Sequence, residues 1–156
     1  MTLHRHEIRV YYEDTDAGGV MYHAAYLAFA ERARTEALRA AGAPHAALIE
    51  EHGMFFVVRR VKIDYLRPAR LDSLVVVETG TLALGGASVT LRQRFLEAET
   101  PLAEAEVVLV CIRADTLQPA RIPQRWRTIL ALGSAERAQG AAGAACEGDE
   151  RSGSGG

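Results

Sequence analysis

Lysine is almost missing from this chain. Of its 18 basic residues only Lys62 is a lysine and the rest are arginine, a bias that reflects genomic base composition as much as function. Acidic residues number 20 and the formal net charge is −2, so nothing marks the whole chain as a nucleic-acid binder. Cysteine is scarce as well. Cys111 falls in an apolar strand pattern and Cys146 in a polar tail, which excludes a disulfide framework and a metal-ligand spacing. No apolar run approaches the roughly 18 residues of a membrane-spanning helix. The opening Met-Thr-Leu-His-Arg-His-Glu carries no apolar signal core. These absences lead us to expect a cytoplasmic protein with no metal centre and no membrane span. The chain does have 156 residues at 49% hydrophobic content, enough for one domain with a real core and too few for two ordinary domains.

Periodicity organises that domain. Ile8, Val10 and Tyr12 alternate with Glu7, Arg9 and Tyr11, predicting a strand over about His6–Tyr12 after a loose start at residues 1–5. A helix is expected from about Tyr22 to Ala41, with Tyr26, Phe29, Ala30, Ala33, Ala37 and Ala40 on its buried arc and Gly42 as the residue after its C-cap. Residues 43–53 read as a short helix or loop with Leu48 and Ile49 inward. From Phe55 the period changes to two. Strands are predicted through Tyr65, over about Ser73–Ala83, over about Ser88–Glu97 and over about Leu102–Arg113, with turns at Leu84–Ala87 and Glu99–Pro101. The last is the most apolar and reads as central and covered on both faces. Pro123 opens a short amphipathic helix carrying Trp126, Ile129 and Leu130. The pattern is a strand, a long helix and four strands in a meander, hence α+β with one antiparallel five-stranded sheet around one long central helix. Residues 1–132 form this domain; residues 133–156, rich in Gly, Ala, Ser and Glu, lack the apolar mass to order themselves. The sheet's outer face is left uncovered with apolar residues on it, so a homo-oligomer, a dimer or a tetramer, is expected.

The most informative stretch is Val10–Tyr26. A strand ends in Glu13, Asp14 and Asp16, the pair Gly18-Gly19 follows, and a helix starts near Tyr22 or His23. The loose N–H groups of a first helical turn form a positive pole, and a carboxylate beside it can attack, or activate water against, a carbonyl that the pole polarises. Asp16 is equally able to be an Asx-type turn residue capping the glycine loop. His23 is either a catalytic imidazole or a polar helix-start residue. Arg59, Arg60, Lys62, Arg67 and Arg70 can bind phosphate, since Arg presents a bidentate fork, or can line a solvated strand face. Asp14-x-Asp16-x-Gly18 is not a calcium loop, lacking the later Glu ligand, and no serine sits in a nucleophile elbow.

The blocks Tyr11–Val20, Tyr22-His23, Tyr26, Glu31–Arg34 and Tyr65–Arg70 closely resemble the signature of the hot-dog-fold acyl-CoA thioesterases. The nearest branch resembles the Tol-Pal-associated thioesterases, which are similar to 4-hydroxybenzoyl-CoA thioesterase. The resemblance spans roughly residues 5–130. It implies the hot-dog fold, an acyl-CoA substrate with no further cofactor, and Asp16 as nucleophile or general base. It implies that His23 and Tyr12 help catalysis, that Tyr22 and Tyr26 line the substrate site beside an amide donor at His23, and that cations among Arg59, Lys62, Arg67 and Arg70 take the CoA phosphates. Two rivals stand beside it. One is a non-catalytic acyl-binding or envelope-complex interaction module. The other is an enoyl-CoA hydratase on the same fold, whose Asp–His spacing is closer.

Overall fold

The structure, a computed structural model, describes residues 3–131. The predicted tail at 133–156 lies outside the described residues. Strand β1 (His4–Arg9) starts earlier than predicted and ends before Tyr12, which falls instead in a single 3-10 turn, Tyr12–Asp14. Helix α1 (Ala25–Ala40) and the short α2 (His45–His52) follow. Then come β2 (Met54–Tyr65), β3 (Leu74–Leu84), β4 (Ser88–Glu97) and β5 (Thr100–Arg113). Residues 124–131 are helical, as Pro123 and the Trp126 spacing predicted. The indole of Trp126 is fully buried and its Nε1 donates to Ala43 O.

The class is α+β with one antiparallel sheet, in the order β1-β3-β4-β5-β2. The expected four-strand meander holds only for β3, β4 and β5. Their connections are tight: a bend at Gly85-Gly86, and a two-residue turn at Ala98-Glu99, where both residues take positive φ (45° and 66°). That turn sits one residue ahead of the predicted one and leaves Pro101 inside β5. The β2–β3 connection, residues 66–73, contains Pro68 and is too long for a hairpin, so β2 crosses to the far edge and pairs with β5.

The inward faces of β3, β4 and β5 alternate as the period of two demands. Val75 and Val77, Val89, Leu91 and Phe95, and Ala103, Ala105, Val107 and Cys111 are all buried. Helix α1 lies on this face with Tyr26, Phe29, Ala30, Ala33 and Ala37 inward, three of its buried residues being alanines small enough to let its backbone approach the sheet. Gly42 takes φ +78° immediately after the helix and donates to Arg39 O, the predicted helix stop. Three readings of the pattern change. Ala40, the last residue of α1, is exposed, and so is Ile49, whose neighbour Leu48 is the buried residue of α2. Over its middle β5 is covered on one face only, with Glu104, Glu106, Val108 and Val110 partly exposed on the other, while Leu102 and Ile112 near its ends are buried. That outer face is also less apolar than expected. Arg5 and Arg94 both reach the buried carboxylate of Glu78 (2.7 and 3.1 Å), and Arg92 and Arg94 both reach Glu104 (3.0 and 3.2 Å).

The core carries one polar cluster that no alternation pattern predicts. Gln93, fully buried on the inward face of β4, accepts from Arg34 Nη1 at 3.0 Å and donates to Ala30 O at 2.9 Å and Thr79 Oγ1 at 3.0 Å. Nearby, burial holds the His45 imidazole below its ordinary 6.5; the Arg34 and Arg39 charges add to this, against an upward pull from Glu31. The sign of the linkage follows. Above pH 6.5 both folded and unfolded chains leave His45 neutral. As pH falls below 6.5 the unfolded chain takes the proton first, so stability declines. Urea midpoints measured from pH 7 to pH 5 are expected to fall less steeply in His45→Gln than in the parent.

Candidate active site at the start of helix α1

The acidic loop is built by its own backbone. Tyr11 N donates to Asp14 Oδ2 at 2.8 Å, closing the 3-10 turn and committing Asp14 to a capping role. Thr15 and Met21 form an isolated antiparallel bridge, and Asp16 N donates to Val20 O at 3.0 Å. Between these residues the chain must reverse, and Gly19 does so with φ +73°, a conformation that strains any residue with a Cβ. Gly18 N donates to Asp16 Oδ1 at 2.8 Å, so the Asx turn read from the sequence is present. A Cβ at Gly18 would lie 3.1 Å from that same oxygen. The turn fixes one carboxylate oxygen. Among the described residues nothing donates to Oδ2, and the side chain is exposed.

The loop is then tied to the helix start. Tyr22 N donates to Asp14 O at 2.8 Å, Met21 N donates to Ala69 O at 2.7 Å, and Val20 bridges Arg70. His23 and Ala24 form a turn and α1 begins at Ala25, three residues later than Tyr22. The amide of Tyr22 is therefore committed to Asp14. The amides of His23 and Ala24 donate to no acceptor among the described residues. Two free N–H groups at the positive end of α1 thus follow a pinned carboxylate by seven and eight positions.

These elements border a cavity of about 270 Å³ lined by His23, Tyr26, Tyr65, Arg67, Met21 and Pro68, with Leu66. Tyr26 is buried, its ring edge-on to Tyr65 (5.1 Å) and to Phe95 (5.2 Å). Tyr22 is half-exposed, its ring edge-on to His23 at 4.7 Å. His23, Tyr26 and Arg67 therefore meet in one cavity, with Tyr22 at its margin, and Arg70 flanks the Asp16 loop through its bridge to Val20. Asp16 stands on the adjoining loop rather than in the cavity wall. Tyr12 is 83% exposed on the 3-10 turn and is not a lining residue.

The basic stretch divides. Arg59 lies at a bulge between Val58 and Arg60 on the edge strand β2. The bulge turns Arg60 and Lys62 to the outer face of the sheet, where Lys62 lines a separate groove of about 350 Å³ with Asp64, Glu104 and Glu106. Tyr65 is the site residue that sequence reasoning did not single out. It stands at the head of the Tyr65–Arg70 block and on the same face of β2 as Val61 and Ile63, a signal that was available.

A sequence profile of the thioesterase-like superfamily matches residues 10–130. The acyl-CoA thioester hydrolase YbgC of Escherichia coli O6:H1 is 48% identical over 124 residues, covering 79% of this chain and 92% of that protein. The acyl-CoA thioesterase YbgC of Helicobacter pylori strain 26695 is 34% identical, covering 78% and 96%. Among solved structures, a probable thioesterase from Bartonella henselae superposes with a TM-score of 0.74 at 39% identity, covering 78% of this chain and all of that one. With a matching profile over most of its length and relatives this similar, the chain belongs to the thioesterase-like superfamily.

Proposed function

We propose that the protein is an acyl-CoA thioesterase, hydrolysing R–CO–S–CoA to a carboxylate and free CoA. One observation carries the mechanism: the amides of His23 and Ala24, without an acceptor among the described residues, closely follow in the chain a loop on which Asp16 has one carboxylate oxygen pinned and the other without a donor among the described residues. The thioester oxygen sits on those amides, which stabilise the negative charge that grows as the carbonyl carbon becomes tetrahedral. Asp16 attacks that carbon as nucleophile, or takes a proton from the attacking water as general base. The C–S bond then breaks, and the CoA thiolate leaves with a proton from the His23 imidazole. In the nucleophilic route this leaves an acyl–Asp16 anhydride, which water hydrolyses to the carboxylate and free Asp16. In either route a proton of the water consumed replaces the one His23 gave up. The acyl group lies toward Tyr26. Arg67, exposed in the cavity wall, and Arg70 beside the loop carry the phosphates, a task for which guanidinium is suited.

No cofactor enters this scheme. Tyr12 is presented to solvent from the preceding turn, open to substrate or to a second subunit. The exposed carboxylate and half-exposed tyrosines fit a site completed in a homo-oligomer, a dimer or tetramer, and the place of action is the cytoplasm. No helix among the described residues is long and apolar enough to cross a membrane.

The test is a panel of acyl-CoAs, aliphatic from short to long and aromatic, read by free-thiol release. Turnover of at least one is expected. Binding without thiol release from any would favour the acyl-binding module, and loss of enoyl absorbance without thiol would favour a hydratase.

A further inference from the structure

We infer that Tyr65 is a positioning residue for thioester hydrolysis, orienting and polarising through its hydroxyl the peptide unit whose N–H grips the oxyanion. The inference rests on the proposed thioesterase reading. The Tyr65 hydroxyl donates to His23 O at 2.8 Å. That carbonyl belongs to the same planar peptide unit as the Ala24 N–H, one of the two amides with no acceptor among the described residues. The unit lies in the turn ahead of α1, and the helix does not hold it: Leu27 N donates to Ala24 O, not to His23 O. Among the described residues the Tyr65 hydroxyl is thus the hydrogen-bond partner of His23 O.

Two effects follow from resonance in the amide. The plane is rigid, so fixing its carbonyl fixes the direction of its N–H. A hydrogen bond accepted at the carbonyl also draws electron density from nitrogen and strengthens the N–H as a donor.

The hydroxyl is itself well placed to act this way. Tyr65 is the last residue of β2, paired with Ala103, and the two residues after it both donate to Leu102 O (2.8 and 3.0 Å). Its ring stands edge-on to the buried Tyr26 at 5.1 Å. Burial pushes its phenol above the ordinary tyrosine range, so it remains a donor at neutral pH. Strand β2 thereby reaches across to the helix mouth and sets an atom of the site from outside the loop that carries Asp16.

Tyr65→Phe tests this, because the ring contact is kept and one O–H is removed. With butyryl-CoA or benzoyl-CoA, whichever the parent turns over faster, kcat is expected to fall about tenfold, less than the 10²–10³ that follows outright loss of an oxyanion donor. KM is expected to stay within about twofold, the split of an interaction felt in the transition state. A second readout is the carbonyl stretch of the same acyl-CoA, carbon-13 labelled at the carbonyl and bound to Asp16→Asn protein. The stretch should lie below that of the free thioester, and adding Tyr65→Phe should return it part of the way. A parent enzyme that turns over while Tyr65→Phe keeps its kcat and its carbonyl frequency overturns the role of Tyr65. A parent that neither releases thiol nor lowers the stretch overturns the thioesterase reading, and this inference with it.

Discussion

Replacing Asp16 with Asn is expected to lower kcat at least about a hundredfold, the lower bound for losing a positioned acid–base group, while the thermal midpoint stays near the parent's. The two halves of this result come from different atoms. The Asx turn needs only an acceptor for the Gly18 N–H, now at 2.8 Å from Oδ1, and an amide oxygen supplies one. Nucleophilic attack or proton abstraction needs the negative charge, which Asn lacks. KM is expected to change little, because in the proposed scheme the substrate is held by the amides of His23 and Ala24 and the cations at Arg67 and Arg70, which the substitution leaves in place. Asp16→Ala removes charge and turn together, so it should lower both turnover and stability. Near-parent thiol release from Asp16→Asn would remove Asp16 from the chemistry.

The second large effect lies in the core. Gln93→Leu is expected to cost about 2–3 kcal/mol, since the buried Arg34 guanidinium then loses the hydrogen bond it makes at 3.0 Å, and bonds to charged groups are worth about that much. Arg34 is pressed into this position by α1, and burial already disfavours its charged form. The matching change, Arg34→Met, removes the charge. The double variant is therefore expected to recover stability relative to Gln93→Leu alone, as with other buried polar groups replaced in concert. Urea unfolding of the two single variants and the double variant gives the coupling. Additive losses would show that Arg34 finds another partner when Gln93 is gone.

Why one of these residues was readable in sequence and the other was not is a matter of range. Asp16 belongs to a loop whose bonds run between neighbours: Gly18 to Asp16, Asp16 to Val20, Tyr22 to Asp14. Turn chemistry of that kind is written in residue types a few positions apart. The stop at Gly42 and the strand over Ser88–Glu97 were legible for the same reason. Gln93 and Arg34 are joined across 59 positions, and each breaks its local pattern, a polar residue on an inward face. Only the tertiary pairing makes either choice sensible.

The crossing of β2 was hidden likewise. Period two identifies a strand but not its neighbour, and only the length of residues 66–73 hinted that β2 and β3 part. Lys62 and Arg67 were grouped by charge, yet Lys62 sits on the outward face of β2 and Arg67 in the connection beyond its end, so they line different cavities. Tyr65 lies within the block that marked the resemblance, yet its hydroxyl reaches back 42 positions to His23.

The most direct measurement is a crystal structure of the Asp16→Asn protein with the acyl-CoA it turns over most slowly. The thioester oxygen should lie about 3 Å from the amide nitrogens of His23 and Ala24, with the side chain of residue 16 facing the carbonyl carbon within about 3.5 Å, a near-attack distance. A thioester bound away from those amides, or one whose carbonyl carbon turns its back on residue 16, would contradict the account.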